Sequence, residues 1–275
     1  MHGEAYTFRR FYFLRASGDW DMQSFRYFFV FTAALLLASL GPRDTLALQV
    51  SPLVIDMGTV GPDSRKVITV VNSSNNEVPM ELKVNLLDLG PDGELIRTEG
   101  GEDDFLIFPP QTIIPAGATQ TFRIQWIGDP DIPKSRSYNI SVNQIPVEIG
   151  EARERETSIQ LQIVYSFLSI VTVRPPGGTS SFQVRNVERA RAADGNPAVA
   201  LTIENTGNLH NYLANAHLIL TGADGWQKKM SPAEVSASGS GSGLVLPGNT
   251  RRFVVSVPDL PMDTGSINAR VDFNR

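Results

Sequence analysis

Apart from His2, the chain holds two histidines, His210 and His217, and no cysteine. Thiol nucleophiles, disulfides and Cys-based zinc sites are therefore excluded. Neither histidine has a ligand-spaced partner or a serine elbow nearby. His217, in A-N-A-H-L-I-L, reads as a strand histidine packed on its neighbours. The acidic clusters, Asp103-Asp104 and Glu151/Glu154/Glu156, lack the glycine-punctuated, evenly spaced oxygen set of a calcium loop and read as solvated surface. No glycine-rich phosphate loop follows a strand. For a carbohydrate platform, Trp126 falls on an apolar strand face and Trp226 stands alone in a Gly/Asp turn. These residue types predict a chain that is not an enzyme and needs no cofactor or metal.

What remains is the chemistry of the main chain. Glu156–Val173 reads E-T-S-I-Q-L-Q-I-V-Y-S-F-L-S-I-V-T-V, followed by Arg174-Pro175-Pro176-Gly177-Gly178. In its first half Ile159, Leu161, Ile163 and Tyr165 fall on one face of an extended strand, and Ser158, Gln160 and Gln162 on the other. Such a strand either closes its own sandwich or offers its apolar row to a protein that lacks a strand.

The rest of the chain must position that strand. With 275 residues, 41% of them hydrophobic, it is long enough for about two domains with real cores. A net charge of −5 and no Lys/Arg-rich run argue against a nucleic-acid partner. From Leu48 onward short alternating runs are separated by Gly, Pro, Asn and Asp, and no stretch has helical periodicity at helical length, so the class is all-β. Expected strands are Leu48–Met57, demoted to an edge by Pro52, then Lys66–Asn72, Met80–Leu89, Phe105–Pro110, Thr121–Trp126 and Tyr138–Val142. After the long alternating strand come Ser181–Asn186, Ala198–Glu204, Leu213–Thr221 and Arg251–Val257. Phe108-Pro109 is expected as a cis bond at the entry to a turn. Ala237–Gly243 reads as a flexible, solvated hairpin tip.

The Pro-Pro-Gly-Gly joint cannot sit inside a sheet, which divides the chain into residues 48–174 and 175–275. Residues 1–47 read as an upstream extension plus an export signal at 22–47. Arg26 precedes the apolar run Tyr27–Leu40, and Thr45-Leu46-Ala47 supplies small residues for a signal peptidase. The run is shorter than the roughly 20 residues of a spanning helix, so no stable membrane insertion is expected after cleavage. Either Met1 or Met22 serves as the start.

Several segments, taken in order, resemble the PapD-like periplasmic chaperones of pilus assembly. They are Phe105-Leu106-Ile107-Phe108-Pro109-Pro110, Ile114-Pro115-Ala116-Gly117-Ala118-Thr119-Gln120-Thr121-Phe122-Arg123-Ile124, Ser135-Arg136-Ser137-Tyr138 and Asn143-Gln144-Ile145-Pro146. The strand ending in Val173-Arg174-Pro175 follows, then Ile203-Glu204-Asn205-Thr206-Gly207 and Leu246-Pro247-Gly248. The resemblance implies two immunoglobulin-like β-sandwiches in an L-shaped arrangement, located in the periplasm. Partners would be pilus or fimbrial subunits and an outer-membrane usher. Ile159, Leu161, Ile163 and Tyr165 match the family's donor strand, which fills the groove of a subunit missing its last strand. The chain departs from the family where two basic residues hold the subunit's terminal carboxylate, since Leu53 and Ile170 stand there. Arg123 is the candidate substitute anchor, and Arg174 is expected to be structural at the domain corner. Gln144 replaces the family's glutamate, which puts its pairing with Arg174 in doubt. An uncovered apolar strand also leaves weak self-association open. The alternative is a structural or adhesive surface protein built of such sandwiches.

Overall fold

Alternation becomes strand through most of the chain, and the parity of each run decides which residues meet in the core. The computed structural model describes residues 48–146, 164–239 and 243–273. Among the described residues ten strands precede the Pro-Pro joint: β1 (Leu48–Ser51), β2 (Val54–Gly58), β3 (Arg65–Asn72), β4 (Val78–Leu89), β5 (Leu95–Glu99), β6 (Phe105–Phe108), β7 (Gln111–Ile114), β8 (Thr119–Trp126), β9 (Arg136–Gln144) and β10 (Ser166–Arg174). One sheet has the order β1-β3-β8-β6; the other runs β2-β10-β9-β4-β5, with β7 also on β4. Apart from β2 and β7, these are the two sheets of an immunoglobulin-type sandwich.

Phe122, Ile124 and Trp126 of β8 point inward and are buried, as are Ile68 and Val70 of β3. They meet Tyr138, Ile140 and Val142 of β9 and Val171 and Val173 of β10 in one cluster. Phe105, Trp126 and Tyr138 pack edge to face, with ring centroids 4.9 to 5.8 Å apart. Gly101, at φ 90°, passes directly over the Tyr138 ring, where a Cβ would lie 2.8 Å from ring carbon.

Leu48–Met57 is two strands and not one. β1 runs antiparallel to β3, while β2 runs parallel to β10 in the other sheet. Pro52 lies between them, at a cis Ser51-Pro52 bond; the expected Phe108-Pro109 bond is also cis. The edge reading stands, because each piece ends its sheet.

Eight strands follow the joint: β11 (Phe182–Arg191), β12 (Pro197–Asn205), β13 (Asn211–Tyr212), β14 (His217–Gly222), β15 (Gln227–Met230), β16 (Leu244–Val245), β17 (Thr250–Ser256) and β18 (Ile267–Asp272). The sheets β11-β12-β17 and β15-β14-β18, with the short β13-β16 pair, enclose a second core. Two expectations need correction here. Leu213–Asn215 is a 3₁₀ turn, and strand begins only at His217. A helix, α1 (Pro232–Ala237), also forms where none is expected: Ser231 caps it, and Glu234 reaches back in a capping box. Only the ends of the Ala237–Gly243 run are among the described residues.

Candidate partner-binding edge and the corner beside it

β10 is covered unequally on its two sides. β9 pairs with it from Ser166 to Val173, but β2 reaches only Ile170–Arg174. The Ile170 N–H donates to Leu53 O at 2.9 Å, on the β2 side. Main-chain groups alternate along a strand, so those of Ser166 and Leu168 face the same way, with no strand beside them among the described residues. The amino-terminal half of β10 is therefore an open sheet edge.

Tyr165 and Phe167 lie on the inner face of this segment, stacked at 6.3 Å and half-buried against the first core. Gln144 holds Tyr165 in place: its N–H donates to Tyr165 O at 2.9 Å, and its Oε1 accepts from Tyr165 N at 3.3 Å. Gln144 thus serves the strand end and not Arg174. The other expected donor-strand positions, Ile159, Leu161 and Ile163, lie outside the described residues, as does the expected export signal.

Leu53 and Ile170, the positions where the resemblance leads one to expect basic residues, are adjacent through the bond from Ile170 N–H to Leu53 O, and both are apolar. Leu53 is 49% exposed. Ile170 packs with Leu89, Leu244, Leu246 and Tyr212 in a small cluster between the sandwiches, which gives a hydrophobic residue its use there. Arg123 projects from the outer face of β8 into a groove of about 780 Å³ that starts at Pro52. Val67 faces it across the strand pair, and Arg65 faces Gln125. Arg65 and Lys66 join Arg123 in the groove's lining. Sequence reasoning missed them because strand register, and not linear spacing, brings them together.

The corner is built of ion pairs. Arg174 Nη2 meets Asp63 Oδ2 at 2.9 Å, and its Nε lies 3.2 Å from Asp56 Oδ1 without hydrogen-bond alignment, so that contact is Coulombic. Lys66, and after it Arg174, holds the Asp63 carboxyl below its ordinary value. His210, from the second sandwich, is buried: its N–H donates to Ser135 Oγ at 3.1 Å, its Nδ1 lies 3.0 Å from the same oxygen, and its Nε2 is 3.6 Å from Asp56. The sandwiches are further tied by Ser135 N to Asn208 O at 2.9 Å, Asn249 Nδ2 to Asp88 Oδ1 at 2.7 Å and Arg252 N to Pro91 O at 2.7 Å. Arg251 is buried beside them, with Nη1 donating to Leu244 O at 2.6 Å. Gly93, at φ 97°, leaves room for its guanidinium.

Burial pushes the His210 pKa down, Arg174 adds to this, and Asp56 opposes it. The fold favours the neutral ring. Its contribution is present above the ordinary histidine value of 6.5 and is lost as pH falls from there through the lowered folded value. Denaturant unfolding across this range is expected to show stability falling with pH in wild type, and a flatter profile in His210→Gln. Equal slopes would remove His210 from the acid response.

No family model and no curated protein sequence matches the chain. Among solved structures it is similar to the class 5 fimbriae chaperone CfaA, at 12% identity over 83% of this chain and 100% of that one, with a TM-score of 0.49. It is also similar to the SafB chaperone–SafA pilin complex of Salmonella enterica, at 15% identity over 83% and 91%, with a TM-score of 0.46. The E. coli chaperone DraB aligns at 17% identity over 83% and 95%, with a TM-score of 0.45.

Proposed function

We propose that the protein is a periplasmic chaperone of pilus or fimbrial assembly. It binds one incomplete subunit at a time through a donated strand and delivers it to an outer-membrane usher. The observation that carries this reading is the amino-terminal half of β10, paired on one side by β9 and with no strand beside Ser166–Leu168 on the other among the described residues. An edge of this kind completes a sheet in a partner that lacks a strand, through main-chain hydrogen bonds, while alternate side chains fill the partner's groove. The ordered motifs quoted above support the same function.

In this reading Ile159, Leu161, Ile163 and Tyr165 are the donated row, and each of the first three contributes about 1.5–3 kcal/mol when buried. Arg123, with Arg65 beside it, is the site for a partner carboxylate. Arg174 fixes the corner through Asp56 and Asp63. Binding free energy alone drives capture and release, with no nucleotide.

The test compares tagged wild type with Leu161→Asp/Ile163→Asp, pulled down from the periplasm of the native host and analysed by mass spectrometry. Circular dichroism is run on both purified proteins. Small sandwich subunits should co-purify with wild type and vanish with a still-folded variant. An unfolded variant, or a wild type that captures nothing, would assign the row to the protein's own core and favour a structural surface protein.

A further inference from the structure

The chain's crossing at Pro52 uncovers a second edge, on the opposite sheet from β10. β1 pairs with β3 at Thr69–Asn72, which leaves β8 as the one strand beside Arg65–Ile68 among the described residues. Asn72 N–H donates to Ala118 O, on the β8 side. By alternation the main-chain groups of Val67 and Arg65 face the vacant side. Arg65 N–H is already bonded to Pro62 O. Val67 N–H, Val67 C=O and Arg65 C=O meet no strand among the described residues.

The groove described above runs along this vacant side. Its outer rim carries Arg65 and Arg123, which form no ion pair among the described residues. Asp56, the acidic residue in its lining, is engaged by Arg174 at 3.2 Å, and Lys66 is engaged by Asp63 at 3.2 Å. The floor includes Ile55 and Ile124. A strand laid here presents alternate side chains to the cationic rim and to the apolar floor.

We infer that this groove binds an extended peptide segment of alternating acidic and apolar residues, added to β3 as a short strand. The main chain of Val67 supplies the ladder, Arg65 and Arg123 receive the carboxylates, and the apolar residue between them packs against Val54, which is 49% exposed in the groove's lining. This deepens the reading of Arg123 and Arg65 as a partner's carboxylate site and rests on it there, while strand donation by β10 is not required.

The test uses fluorescence anisotropy with the full chain and a labelled acetyl-Thr-Glu-Val-Glu-Thr-amide, beside the same peptide with lysine for glutamate. The acidic probe should bind saturably and the lysine probe should not. Arg65→Glu/Arg123→Glu should weaken binding at least tenfold, and Arg65→Gln/Arg123→Gln by less. Val67→Pro should also weaken it at least tenfold: proline removes an N–H that faces away from β8 and meets no strand among the described residues, so the β3–β8 pairing is spared. As a readout that needs no variant, the probe should slow hydrogen exchange at the Val67 amide. The inference is overturned by no saturable binding, by equal binding of both probes, or by an unprotected Val67 amide. Binding lost on charge reversal but kept in a folded Val67→Pro would also overturn it, since that is electrostatic adherence without a strand. The pull-down above reads β10, so the two results stand apart.

Discussion

Tyr138→Ala is expected to lower unfolding free energy by about 4 kcal/mol, as for other buried aromatic truncations. Tyr138 is fully buried on β9, touches Phe105 and Trp126 edge to face, and donates from its hydroxyl to Asp104 Oδ2 at 2.6 Å. Removing the ring takes one side from each of those contacts and unties the 3₁₀ turn that carries Asp104. Tyr138→Phe should cost only about 1–2 kcal/mol. It keeps the packing, and Arg136 Nη1 remains 3.7 Å from Asp104. Urea unfolding of the pair separates the two contributions; equal losses would place the effect in the hydroxyl and not in the ring. Burial, with Asp104 as acceptor, raises the Tyr138 pKa well above the usual tyrosine value. Its contribution is complete below the ordinary value of 10.0 and is lost as pH rises from there towards the raised folded value, a decline absent in Tyr138→Phe.

The second large effect is expected at two buried asparagines that do the same work in the two sandwiches. Asn72 closes β3; its Nδ2 donates to Asn76 O, Ile114 O and Pro115 O at 2.7 to 3.1 Å, and its Oδ1 accepts from Ser74 N at 3.1 Å. Asn205 closes β12; its Nδ2 donates to Leu209 O and Val245 O at 2.8 and 3.1 Å, and its Oδ1 accepts from Gly207 N at 3.0 Å. Leucine at either position fits roughly in volume but strands carbonyls and an amide, each costing about 1–3 kcal/mol when left unpaired. A loss of about 3 kcal/mol or more is expected for Asn72→Leu and for Asn205→Leu. Hydrogen exchange should locate it: faster in residues 73–76 for the first variant and in 206–209 for the second. A loss below about 1 kcal/mol would mean that water replaces the side-chain bonds.

Much of this architecture is legible in the sequence because strand burial has a period of two. Phe122, Ile124 and Trp126 announce an inner face, and the turn at Gly90-Pro91-Asp92-Gly93 separates β4 from β5. β5 is not legible, because all five of its residues are exposed and carry no alternation. The crossing between sheets left a sign that is easy to pass over. Leu48 and Val50 turn inward at even positions, Ile55 and Met57 at odd ones, and that change of parity around Pro52 divides the run. The S-x-x-E signature of Ser231 and Glu234 marks α1, but six residues are too few to display helical periodicity. In the candidate site, Arg123 was legible as an outward cation between buried neighbours. Its companions Arg65 and Lys66 were not, since they lie on another strand and only pairing register brings them near. Ile170 looked like a missing cation; the small cluster it joins depends on contact between the sandwiches, which no local pattern encodes.

Pro52 acts as a divider of a fixed length of main chain. Before it the segment shields β3 as far as Thr69, and after it the same segment shields β10 from Ile170 onward. The stretches without a strand on that side among the described residues, Arg65–Ile68 on one sheet and Ser166–Leu168 on the other, are two shares of one allotment. Moving the proline two places along, as in Pro52→Val/Val54→Pro, would extend cover over β3 and withdraw it from β10. Hydrogen exchange checks this: the Val67 amide should gain protection and the Ile170 amide lose it, and with them the docking proposed for the two edges would pass from one face of the molecule to the other.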